Sequence, residues 1–223
     1  MSNSNKREIN LLKNYPKSKR NVSERGQSKT KEQQELARKF GRDFFDGDRS
    51  NGYGGYHYNE RFWKNVIPDF VKHYKLKDGD KILDVGCGKG FMLFDFYKYN
   101  PNFILEGIDI SEYAIDNAKP EIKNFVKTGN AKELNYDDNF FDLVISITTV
   151  HNLDIDECKL ALKEIERVSK KNKFITVDAY SNQEEKKMMY EWNLTAKTIL
   201  HTDEWKKVFQ DINYSGDYYW FKP

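Results

Sequence analysis

Cysteine is almost absent from this chain. Of its 223 residues only Cys87 and Cys158 carry a thiol, too few for a disulfide framework. No apolar run approaches the roughly 18 residues that cross a bilayer. The first 29 residues also lack the apolar stretch of a secretory leader. Nor do the four histidines combine with the cysteines and acids in a four-ligand metal spacing. A disulfide scaffold, a membrane span and a structural metal site are therefore set aside, and a cytoplasmic location is the expectation. Hydrophobic residues are sparse at 38%, while aromatics are generous at 15%. A core rich in Phe, Tyr and Ile is expected, with a long polar segment elsewhere.

That segment is visible in the charge distribution. Residues 1–31 hold nine basic side chains against Glu8 and Glu24, although the whole chain has a formal net charge of only +2. A basic arm on a mildly acidic body suits RNA, an anionic surface or an acidic partner, or is simply a solvated flexible leader. Residues 1–29 are read as that leader.

Residues 30–75 form a second unit. Thr30 has the N-cap position of a helix, with Gln33 three residues on in capping-box spacing, and Leu36, Phe40 and Phe44 make one apolar stripe. Gly41 weakens its middle. The stretch Tyr53-Gly54-Gly55-Tyr56-His57-Tyr58 reads as an aromatic loop, and a second helix is expected over 59–74 with Pro68 as a kink.

From residue 76 onward the pattern alternates strand and helix. Strands are expected over 81–85, 103–108, 124–128, 142–149, 174–179 and 217–221, with helices over 91–99, 111–119, 156–169, 182–198 and 203–211. Such alternation predicts an α/β fold, doubly wound, with a mostly parallel Rossmann-like sheet, helices on both faces and a helical N-terminal extension. A ligand then binds outside the carboxyl ends of the strands.

The strongest motif is Ile82-Leu83-Asp84-Val85-Gly86-Cys87-Gly88-Lys89-Gly90. A buried strand hands its end to three glycines, where the backbone can approach a ligand closely, and free N–H groups of the next helix point outward. A dinucleotide fingerprint would need glycine at 91, where Phe91 stands. An acid before the first glycine suits a cationic ligand better than a pyrophosphate. Asp109 closes the second strand.

On these residues the chain resembles the class I S-adenosylmethionine-dependent methyltransferases of the type 11 kind, best over 66–173. Asp84, Gly86, Gly88 and Gly90 match that family's first motif, with Cys87 inside the same turn. Asp109-Ile110 matches the second, Asp109 being expected to accept two hydrogen bonds from the ribose hydroxyls and Ile110 to pack on adenine. Gly129-Asn130-Ala131 matches the third, with Asn where the family commonly has Asp accepting from the adenine amino group, a bond the Asn side-chain carbonyl can also accept. Phe141 to Ser146, with His151 beyond, matches the fourth, so Ser146 joins the expected cofactor-binding set. The resemblance implies S-adenosylmethionine as cofactor and methyl transfer by in-line displacement. The family's closing antiparallel strand pair has little room here.

Three side chains are candidates around the reacting atoms. His151 is placed as a base, with His57 second, or else merely shapes the pocket. Tyr56 lies in the glycine-rich loop, which either closes as a lid or packs the N-terminal helices. Arg61 is a candidate partner for the cofactor carboxylate, and Asp178 and Tyr180 for the acceptor. The acceptor is expected to be a small molecule. An RNA or ribosome methyltransferase using the basic arm, and a non-catalytic cofactor-binding partner protein, are the alternatives.

Overall fold

The computed structural model describes residues 7–16 and 29–222. In chain order, helices α1 (Lys31–Ala37), α2 (Arg42–Phe45) and α3 (Ile67–Tyr74) precede strand β1 (Lys81–Val85). There follow α4 (Phe91–Tyr99), β2 (Ile104–Asp109), α5 (Glu112–Asp116), β3 (Val126–Thr128), β4 (Phe141–Ile147), α6 (Ile155–Val168) and β5 (Ser169–Tyr180). The chain continues through α7 (Gln183–Trp192), β6 (Leu200–His201), α8 (Thr202–Asp211) and β7 (Asp217–Phe221).

The sheet runs β3-β2-β1-β4-β5, with β7 and, farther along, short β6 on the outer side of β5. Every strand pairing is parallel. Strand order reverses between β1 and β4, so the crevice at their carboxyl ends is the switch point where such sheets take ligands. The α/β, doubly wound architecture read from the sequence is the one observed.

Alternation within β1 explains the two layers. Ile82 joins Phe70, Phe96, Leu143 and Phe174 on the face covered by α3 and α4. Its neighbour Leu83 joins Val144, Ile175, Ile165 and Trp205 on the face covered by α6 and α8. Helix α6 buries Cys158, Ala161, Leu162, Ile165 and Val168, a spacing of three and four that makes one apolar stripe.

Several local expectations are corrected. Thr30 does cap α1 through a reciprocal capping box with Gln33, yet the helix stops at Ala37. Phe40 then adopts φ of 49°, a left-handed conformation that no helix interior accepts, and α2 restarts after Gly41. Pro68 is not a kink; it occupies the first turn of α3, where its missing N–H has no partner to lose. The family's antiparallel pair is absent among the described residues, because β7 pairs directly and in parallel with β5.

The outer edge of β7 is covered by the N-terminal segment. Tyr218 N donates to Arg7 O at 2.9 Å and Ile9 N to Tyr218 O at 3.0 Å. Leu11 is buried in the core, and Tyr15 meets Trp63 edge-on with centroids 4.9 Å apart. Part of the expected solvated leader, residues 7–16, is thus docked by an apolar cluster that a composition average hides. The remainder, through 28, lies outside the described residues.

Candidate functional site

The turn after β1 is held to β2 by two donors, Gly86 N and Cys87 N, both to Ile108 O at 2.8 and 3.0 Å. Gly86 has φ of 85°, and a Cβ there would stand 2.2 Å from the Thr149 side chain. Only glycine satisfies both the backbone and that approach. Thr149 arrives because Thr148 adopts φ of 50°, an uncommon state for a β-branched residue. Its amide is fixed by Thr176 O and Oγ1. Backbone strain at the end of β4 therefore places Thr149 against the glycine turn, a link that no sequence spacing announces.

Two carboxylates sit at this turn. Asp109 accepts from Gly88 N at 2.7 Å through Oδ2 and from Ser111 N at 2.8 Å through Oδ1. Each oxygen keeps a second lone pair, so a pair of neighbouring hydroxyls can still be held. Asp84 is 4% exposed, and no hydrogen bond or ion pair reaches its carboxylate among the described residues. Burial, and then the charge of Asp109, raise it to about 7. A buried acid without a partner is costly, and a cation in the crevice would offset that cost. The ammonium and sulfonium of S-adenosylmethionine fit this donor set, as ribose hydroxyls fit Asp109.

Ile110 is 56% exposed, an apolar surface presented beside Asp109 where an adenine face can pack. Gly129 N donates to Asp109 O at 2.9 Å, bringing Asn130 and Ala131 to the same end. The Asn130 side-chain carbonyl accepts from Lys132 N at 3.0 Å, which shapes its own turn, and keeps a second lone pair for the expected adenine bond.

Other expected residues are placed differently. Ser146 is fully buried and donates its hydroxyl to Val85 O at 3.0 Å, tying β4 to β1 instead of facing a ligand. His151 is 3% exposed. Its Nδ1 accepts from Asp178 N at 2.9 Å, so Nε2 carries the proton and points toward Asp178 Oδ2, 3.6 Å away. Burial pushes His151 down to about 3 and Asp178 up to about 8. With one nitrogen occupied and the other protonated, His151 cannot take a proton from an acceptor. Asp178 also receives Asn193 Nδ2 on its carboxylate and Trp205 Nε1 on its carbonyl, and Tyr180 is buried. These residues knit the core under the rim.

His57 is exposed beside Gly55. Arg61 is exposed with its guanidinium over the Phe62 ring at 4.7 Å, and among the described residues no hydrogen bond or ion pair joins it to the glycine turn. Tyr56 does reach the turn. Its ring stacks on Phe91 with centroids 4.8 Å apart, and a Cβ on Gly88 would stand 3.4 Å from it. Burial and then the neighbouring Tyr53 raise its phenol well above the ordinary value, so it stays protonated.

Sequence reasoning missed Asp46, Lys89 and Tyr113, which bond to one another above the turn. A lysine inside a buried glycine turn was the available signal, since such a charge demands a partner. Among the described residues no cluster of His, Cys, Asp and Glu could hold a metal, and no helix is long and apolar enough to cross a membrane.

Residues 76–217 match a family model described as a methyltransferase domain. The 24-methylenesterol C-methyltransferase 2 of Arabidopsis thaliana is 32% identical over 160 residues, covering 68% of this chain and 39% of that protein. The demethylmenaquinone methyltransferase of Symbiobacterium thermophilum is 32% identical over 126 residues, covering 52% of this chain and 49% of that one. The chain thus spans less than half the length of either relative. The crystal structure of a SAM-dependent methyltransferase from Methanosarcina mazei is similar with a TM-score of 0.51 at 21% identity, over 64% of this chain and 82% of that one. That last likeness concerns the fold alone.

Proposed function

The chain belongs to the class I S-adenosylmethionine-dependent methyltransferases, and from that premise we propose that it transfers a methyl group to a small-molecule acceptor. The observation that carries the methyl-donor half of this reading is the partnerless buried carboxylate of Asp84 beside Asp109 on a glycine turn at the sheet's switch point. When bound, S-adenosylmethionine supplies a methyl whose bond to sulfur breaks, the electron pair staying on sulfur as the acceptor's lone pair forms the new bond.

The protein's part is holding and alignment. Asp84 balances the cationic end, Asp109 fixes the ribose, and Ile110 covers the base. Phe91, buried at the start of α4, walls the methionine end of the crevice. In this reading neither His151, whose Nδ1 is occupied, nor Tyr56, which is protonated, takes the acceptor's proton, which passes to solvent.

A cavity of about 350 Å³ adjoins the carboxyl ends of β4 and β5, lined by Gln34, Arg38, Asp154, Tyr190, Asn193 and Lys197. Its size is that of a small-ligand site. Two of its relatives are named for small acceptors, 24-methylenesterol and demethylmenaquinone, and others for ribosomal protein L11. The test is transfer from methyl-labelled S-adenosylmethionine to a panel of low-molecular-weight acceptors and, in parallel, to total RNA and ribosomes. Label in a small molecule is expected; label confined to RNA or ribosomes would replace this reading with a macromolecular acceptor.

A further inference from the structure

Asp46 is the point where the segment between Phe40 and Tyr58 is fastened to the domain. Its Oδ2 accepts from Lys89 Nζ at 2.5 Å and from Tyr113 Oη at 2.7 Å, and its Oδ1 from Tyr56 N at 2.9 Å. Lys89 Nζ also donates to Tyr56 O at 3.0 Å. Burial alone would raise the Asp46 carboxyl, but the bonds from Lys89, Tyr113 and the Tyr56 amide outweigh it and hold the group at about 2. Asp46 is therefore ionised at neutral pH.

The segment it fastens is a compact body of its own. Tyr53 N donates to Phe44 O at 2.9 Å and Gly55 N to Phe45 O at 3.1 Å, while Phe44, Phe45, Tyr53 and Tyr56 form a chain of ring contacts. A Cβ on Gly52 would stand 2.0 Å from Phe44 O, which shows how tightly the loop folds on α2. At its start, the left-handed Phe40 is followed by Gly41, around which a Cβ would meet nothing within 4 Å. At its end Tyr58 Oη is anchored on Asp95 Oδ1 at 2.7 Å. A stiff body that begins at an uncrowded glycine and ends at one anchor can swing as a unit once the Ser111 bond to Phe40 O is released.

What it covers is the methionine end of the crevice. The position of a Gly88 Cβ lies 3.4 Å from Tyr56 and 3.6 Å from Phe45, ordinary contact distance, so those rings occupy the space above the turn. The adenine end, by contrast, leaves Ile110 and Asn130 exposed. We infer that the Asp46–Lys89–Tyr113 latch holds an aromatic plug in the cofactor crevice, so that the cofactor enters only when the latch opens. This rests on the reading of the crevice as the S-adenosylmethionine site. Contacts made in the closed form and broken on entry lower the apparent affinity by the fraction of open molecules.

The experiment is the binding kinetics of S-adenosylhomocysteine to the full chain and to Asp46→Asn and Tyr113→Phe, by stopped-flow or surface methods. Asp46→Asn keeps the shape and removes the charge, and is expected to raise the association rate constant about tenfold, with a matching fall in Kd. Tyr113→Phe removes one neutral donor and is expected to give about threefold. Binding by all three proteins with unchanged or slower association would overturn the plug while leaving the cofactor site standing. Absence of binding in all three, with native circular dichroism, would overturn the site and the plug together. Tyr113→Phe decides the matter should Asp46→Asn fail to fold.

Discussion

Two buried acids in this molecule are raised by the same force and have opposite meanings. Asp84 lies on the glycine turn and Asp178 beneath the rim, and burial moves the first to about 7 and the second to about 8. Asp178 is surrounded by partners: Asn193 donates to its carboxylate, and Trp205 and His151 engage its backbone. Asp84 has none among the described residues. Burial by itself does not separate a binding site from a core; unfilled hydrogen-bonding capacity does.

The comparison can be broken most forcefully at His151. Replacing it by Ala leaves Asp178 N–H without its acceptor and opens a hole in the packed core, so stability is expected to fall by about 3 kcal/mol. Cofactor affinity should change less than twofold. Urea unfolding alongside calorimetric titration measures both, and lost affinity with retained stability would return His151 to the site.

Asp84 is expected to respond with the reverse signs. Its carboxyl is raised above the unfolded value, so between about pH 4 and 7 the folded state holds the extra proton and stability falls as pH rises. Asp84→Asn removes that burden and is expected to melt higher than the parent at pH 8. A bound cation needs the ionised form, so parental affinity should weaken up to about tenfold per unit as pH falls below 7. The variant should bind weakly with little pH dependence. Titrations between pH 5.5 and 7.5 decide it: a flat parental profile would remove Asp84 from the site.

The same division marks what the sequence makes legible. The turn from Asp84 to Gly90, the acid at Asp109 and the strand–helix rhythm are local patterns, set by neighbours in the chain, and the structure shows them in the expected places. The docking of Arg7–Ile9 on β7, the burial of His151 and the latch at Asp46 depend on residues that approach only after folding. Asp46 meets Lys89 across 43 intervening steps of chain, and no periodicity connects them. Pro68 and Phe40 misled for a smaller reason, since a local breaker tells that a helix changes there without telling whether it ends, bends or begins. Ser146 occupies a motif position, yet its hydroxyl is taken up by Val85 O, a use visible only in three dimensions.

Calorimetric titration of S-adenosylhomocysteine into the parent protein and Asp109→Ala tests the central claim most directly. The parent is expected to bind one equivalent, and loss of two charge-assisted hydrogen bonds should weaken the variant about a hundredfold or more with the fold retained. Equal binding by both proteins, or no binding by the parent, would contradict the assignment of this crevice.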